Sequence, residues 1–311
     1  MRFSTTFLYG SMKRCNAMIL LAFCWLSCDN NENKQFTVVA TTSLIGDVVR
    51  NIVQDHAKVL TLMGPGVDPH AYKATQQDVK HLLNADIVFY NGLHLEGKMT
   101  DVLYKLSTKK RVYAAGEAIT STQRLVDPTF SIGVDPHIWF DVCLWKQVVQ
   151  YISNQLQIAH PEEAIYYKEN TLRYLQQLDK LHQETIKAIQ QIPVAQRVLI
   201  TAHDAFGYFG RAYNIEVRGL QGISTVSECG LKDVTDLVKF IIRRNIKAIF
   251  LETSVPEKPL QAVVEGCRKH GFQVTVGGYL YSDALGQAGT PQGSYYGMVQ
   301  ENVQVIVNAL K

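Results

Sequence analysis

The sequence predicts an α/β protein of two lobes, each with a central parallel sheet flanked by helices, joined by one long rigid helix. Three observations predict it. Short β-rich runs alternate with amphipathic helical stretches in both halves of the chain, the pattern of parallel strands with crossover helices. Between the halves, from Pro161 to about Ile192, runs a segment with no glycine and no internal proline. The chain has 311 residues, enough for two medium lobes.

The elements follow in order. Arg2, Lys13 and Arg14 precede an apolar run from Ala17 to Leu26. That run is too short for a hydrocarbon core of ~30 Å. Residues 1–28 therefore read as a signal peptide, starting at Met1 or at Met12. The segment Trp25-Leu26-Ser27-Cys28 resembles a bacterial lipoprotein box, with bulky Trp25 where Leu is commoner. It predicts a lipid anchor on Cys28. Residues 29–35 are polar and read as a spacer.

The first lobe is expected over 36–160. Phe36–Ala40 reads as a strand, and Thr41, Thr42 and Ser43 offer caps for a helix over Leu44–Val53. Lys58–Met63 is apolar and stops at Gly64-Pro65-Gly66. Thr75 caps a helix over Gln76–Leu83, and Ala85–Tyr90 is a strand again. The joining helix is expected over 161–192, with Pro161 in its first turn and Glu162 and Glu163 at its positive end. The second lobe is expected over 193–311. Its strands read as Arg197–Thr201, Ile215–Gly219, Ala248–Glu252 and Phe272–Val276, and its helices as Leu231–Arg244, Pro259–His270 and Tyr295–Leu310.

Charge and cysteine usage exclude several classes. The net charge is +3, and no Lys/Arg stripe follows the first fourteen residues, so nucleic acid is a poor partner. No CxxC pair lies beyond Cys28, which argues against a thiolate zinc or iron–sulfur site. Export permits a disulfide. Cys229 and Cys267, in the same lobe, are the candidate pair, with Cys143 left as a buried thiol.

Nine histidines are present. His56, His81, His160, His182 and His270 lie within or at the ends of helical stretches and read as surface or helix-end residues. His94 sits in a loop after a strand. His70, His137 and His203 share a context, since each lies near a strand C-terminus or in the loop beyond. Open α/β sheets place ligands there. Asp283 occupies a fourth such loop. Three imidazoles and one carboxylate suit zinc, manganese or iron. The four stand 67, 66 and 80 positions apart, so only the fold can gather them, at the interface of the lobes.

The stretches GPGVDPHAYKAT, NGLHLEG, DPHIWFD, TAHDAFGYF, ETSV and YSDALG together resemble the solute-binding lipoproteins of ABC transporters for manganese, zinc and iron, the TroA/ZnuA-like family. The resemblance covers nearly all of the chain beyond the leader. It implies two α/β lobes bridged by one helix, and metal binding by His70, His137, His203 and Asp283. It implies capture of one divalent ion outside the cytoplasm, delivery to a membrane permease, a monomer, and no catalysis. Residues 117–134 carry no histidine, unlike the His-rich loop of many zinc-specific members. The third ligand is His203, where some manganese-binding relatives carry Glu. The pattern is the three-His, one-Asp subgroup, for which manganese, iron and zinc all stay open.

Two other functions compete on the same residues. A metal-dependent hydrolase needs an open coordination position and a base, for which Glu228 and Asp204 are the candidates. An adhesin or structural surface lipoprotein shares the leader.

Overall fold

The structure is a computed structural model that describes residues 1–6, 8, 35–126, 133–227 and 229–311. The compact unit is Gln35–Lys311. The apolar leader run, Cys28 and Glu228 lie outside the described residues.

The first lobe holds four parallel strands, β1 (Thr37–Ala40), β2 (Lys58–Thr61), β3 (Ile87–Tyr90) and β4 (Val112–Ala114). Their order is β2-β1-β3-β4. Val38 pairs with Val59 on one side and with Ile87 on the other, so the apolar strands β1 and β3 are central. Helix α1 (Ser43–Val53) starts where Thr42 Oγ1 accepts the Ile45 N–H. Helix α2 (Gln76–Asn84) starts on a reciprocal box, in which Asp78 N–H donates to Thr75 Oγ1 and Thr75 N–H donates to Asp78. Helices α3 (Thr100–Ser107) and α4 (Val142–Ala159) complete the lobe.

The joining helix α5 is Ala164–Ile189, 26 residues or about 39 Å. It is shorter than the Pro161–Ile192 expectation at both ends, because Pro161–Glu163 forms a separate 3-10 turn and the helix is capped at Gln190. Its buried residues Tyr167, Asn170, Thr171, Tyr174, Leu178, Leu181, Thr185 and Ile189 form one face at helical spacing. That face packs on α1, α4 and the C-terminal helix.

The second lobe holds β5 (Val198–His203), β6 (Glu216–Gln221), β7 (Ala248–Glu252) and β8 (Thr275–Leu280). They form two parallel pairs, β5–β6 and β7–β8, with β5 beside β7. Helices α6 (Gly207–Tyr213), α7 (Leu231–Arg244), α8 (Lys258–Lys269) and α9 (Tyr295–Leu310) surround them. Strand β8 starts three residues later than its apolar run implies. Its centre is Gly277-Gly278, where a Cβ on Gly277 would stand 2.7 Å from Ala309 Cβ and 2.8 Å from Phe250 Cε1. The glycines let α9 lie close on the strand, and the later end brings Asp283 next to it.

One apolar cluster runs from β1 through α1, α4 and α5 to α9, so the lobes share a core. Polar contacts cross between them as well. Tyr174 O–H of α5 and Tyr295 N–H of α9 donate to the buried Asp47 of α1, at 3.0 and 3.3 Å. Leu285 N–H donates to Ser43 Oγ at 2.9 Å, and Trp139 Nε1–H to the Ser282 carbonyl at 2.9 Å.

The cysteine expectations are corrected. Cys229 and Cys267 are free, although both pack on the same apolar cluster of the second lobe. Cys267 points from α8 into that core and Cys229 lies before α7. Cys143 is exposed, not buried, because it points outward from the first turn of α4, whose Val142, Leu144 and Trp145 face the core. Alkylation under denaturing, non-reducing conditions should label all three. Labelling of Cys143 alone would restore the bridge.

Candidate metal centre

Two ligand candidates come from one local device used twice. In Asp68-Pro69-His70 the His N–H donates to the Asp68 carboxylate at 2.8 Å, and in Asp135-Pro136-His137 the equivalent distance is 2.9 Å. This Asx-type turn, with its φ-restricted proline, aims each imidazole from a loop. The two carboxylates differ in their further contacts. Asp68 Oδ2 accepts from Thr225 Oγ1 of the other lobe at 2.6 Å. Asp135 Oδ1 also faces His137 Nδ1 at 2.8 Å. His203 is the last residue of β5, and Asp283 follows β8.

The fold brings all four predicted residues together. One ligand atom from each of His70, His137, His203 and Asp283 lies within 4.8 Å of the other three. All four are buried. His70 Nε2 stands 3.2 Å from His137 Nε2. Asp283 places Oδ1 3.4 Å from His137 Nε2 and Oδ2 3.5 Å from His203 Nε2. His203 Nε2 and Asp283 Oδ1 have no hydrogen-bond partner. Buried polar atoms are seldom left so, and atoms aimed at one point are what a cation needs.

Glu252, the last residue of β7, went unread by sequence reasoning. It is buried, its Oε1 accepts the His203 N–H at 2.9 Å, and its Oε2 lies 2.6 Å from His203 Nδ1. The last contact is ionic, since its direction does not suit a hydrogen bond. Asp135 and Glu252 thus occupy the Nδ1 sides of their histidines and leave Nε2 for the centre, the outer-shell arrangement that fixes ring orientation and tautomer. Asp135 was findable, because it repeats the placement of Asp68. Glu252 was not, being 49 positions from its partner.

The electrostatics divide the imidazoles. Burial drives the His70 pKa down to about 3. Burial also opposes charge on His137, but the Asp135 and Asp283 carboxylates outweigh it and raise that pKa to about 9. His203 is raised well above the ordinary imidazole value, with Glu252 and then Asp283 overcoming burial. Asp283 is held well below the usual carboxylate range, as His203 and His137 overcome its own burial. The positive charge favoured on His137 and His203 offsets that of the carboxylates beside them.

The other histidines stand elsewhere. His94 is exposed in the loop after β3, where the buried member is Glu96, which accepts from Thr41 Oγ1, Asn91 N–H and Gly92 N–H. His56 pairs with Glu163, His81 with Gln77, and His160 with Tyr167. His270 is exposed, and His182 is half-buried against Tyr213 rather than a free surface residue.

Residues 38–309 match the family model described as ZnuA, zinc-uptake complex component A, periplasmic. The chain belongs to this family. As a ZnuA-family member it is an extracytoplasmic solute-binding component of an ABC transporter, its cargo is a divalent transition metal, and it is a carrier without catalytic activity. Such components serve a membrane permease. The manganese-binding lipoprotein MntA of Bacillus subtilis is 48% identical over 285 residues, covering 92% of this chain and 93% of that protein. The zinc-binding protein TroA of Treponema pallidum is 46% identical over 273 residues, 88% of each chain. The solved structure of that periplasmic zinc-binding protein superposes with a TM-score of 0.87, covering 89% of this chain and 99% of its own.

Proposed function

We propose that His70, His137, His203 and Asp283 together hold one manganese, zinc or iron(II) ion and hand it to a permease of the cytoplasmic membrane. The observation that carries this reading is the convergence, within 4.8 Å, of one ligand atom from each of four buried residues, at a strand end and in loops of both lobes. Three imidazoles suit zinc and iron, and the hard carboxylate suits manganese and iron. The relatives named for manganese and for zinc are similar in identity, so ancestry leaves the choice with the ion supply and the geometry. Elemental analysis of protein purified without added metal, followed by competition among the three ions, identifies the cargo. Protein that retains none of them and binds none in titration contradicts the reading.

The boundaries we propose are a leader over 1–28, a spacer over 29–35, lobes over 36–160 and 193–311, and the joining segment between. Cys28 carries the lipid, on the strength of the charged start, the apolar run and Ser27-Cys28. A Cys28→Ser substitution should move the protein out of the membrane fraction. Retention there would show that Cys28 is not the anchor.

A further inference from the structure

Helices α4 and α5 pack against each other, and near the start of α4 they bring a thiol and an imidazole together. Cys143 Sγ stands 3.5 Å from His182 Nε2. A zinc-type ion binds thiolate at about 2.3 Å and imidazole at about 2.05 Å. With a tetrahedral angle between those bonds, the sulfur and nitrogen lie about 3.5 Å apart. The pair, within hydrogen-bond distance of each other, is therefore also spaced as a chelate. The imidazole is oriented too. His182 Nδ1 meets the Tyr213 hydroxyl at 3.2 Å. In the tautomer that donates its Nδ1 proton to that hydroxyl, Nε2 presents its lone pair toward the sulfur, which is how a hydrogen-bonded partner prepares a ligating histidine. Cys143 is exposed, so an ion can reach the pair without opening the core.

We propose that Cys143 and His182 form a second, two-ligand site for a thiophilic divalent ion, separate from the four-residue centre. Water completes the shell. Partial desolvation and the nearby Asp141 raise the Cys143 thiol, so binding at neutral pH releases its proton to solvent: the S–H bond breaks as the metal–sulfur bond forms. Two ligands make the site weak relative to four. It goes beyond the transport reading, because nothing in that reading uses a thiol.

Cobalt(II) is the probe, since thiolate coordination gives a near-ultraviolet charge-transfer band that nitrogen and oxygen ligands do not. The full chain is first given one equivalent of zinc and then titrated with cobalt. The band is expected in the wild type, absent in Cys143→Ser, and shifted to roughly tenfold higher cobalt in His182→Ala. In His203→Ala, which weakens the principal centre, the band should persist, so failure of one site is distinguishable from failure of the other. No band in the wild type, a band retained in Cys143→Ser, an unshifted titration in His182→Ala, or a band lost with His203 would each overturn the proposal.

Discussion

Asp283→Ala is expected to weaken metal binding by roughly two to three powers of ten, about 3–4 kcal/mol. Asp283 is the only carboxylate among the four converging groups. It faces both His137 and His203, and one of its oxygens has no hydrogen-bond partner. Removing it takes away a negative ligand and leaves three imidazoles, two of which are disposed to hold protons. Ser254 Oγ, 3.2 Å from Asp283 Oδ2, is a neutral donor and cannot replace it. Calorimetric titration of the variant, with His56→Ala as control, reads the loss. Wild-type affinity in Asp283→Ala, with native near-ultraviolet dichroism, would place the ion elsewhere.

Acidification is expected to have the next largest effect. Metal binding needs neutral imidazoles. The ordinary imidazole value predicts that affinity falls below pH ~6.5. In the fold, His137 keeps its proton up to about pH 9 when the ion is absent, and His203 is raised as well. Each proton that the ion must displace costs about tenfold in affinity per pH unit below the group's pKa. Affinity should therefore already be falling between pH 8 and 6, by roughly tenfold or more per unit. Titration in buffers of different ionisation enthalpy should show one or more protons released per ion at pH 7. A flat affinity over this range, with no proton release, would contradict the charged imidazole pair. The sign for the ion-free fold follows from the same shift. The His137 pairing contributes fully below the unfolded value of about 6.5 and is lost as pH rises through about 9.

Much of this was legible in the chain. Helices α7 and α9 and strand β7 have the limits that their hydrophobic period and bounding residues indicate. The four central residues were legible because each ends a strand or lies in a loop beyond one, and two stand in the same Asp-Pro-His device. Helix α4 escaped notice, though it has 18 residues. Its sequence is rich in β-branched and aromatic residues such as Val148, Val149, Tyr151 and Ile152, which are weak helix formers. Burial on the shared core, not propensity, makes it helical. The supporting carboxylate Glu252 was hidden for a different reason. Its meaning depends on β5 lying beside β7, a neighbourhood that no local pattern encodes. The absence of a Cys229–Cys267 bridge is likewise a matter of where two side chains point within one core.

The central claim is that one ion sits among these four residues, and anomalous diffraction from the metal-loaded protein tests it most directly. The account predicts one strong peak bounded by Nε2 of His70, His137 and His203 and by the Asp283 carboxylate, at bond lengths of about 2.0–2.2 Å. A strongest peak bounded by fewer than three of these residues, or lying at any other place in the fold, would contradict it.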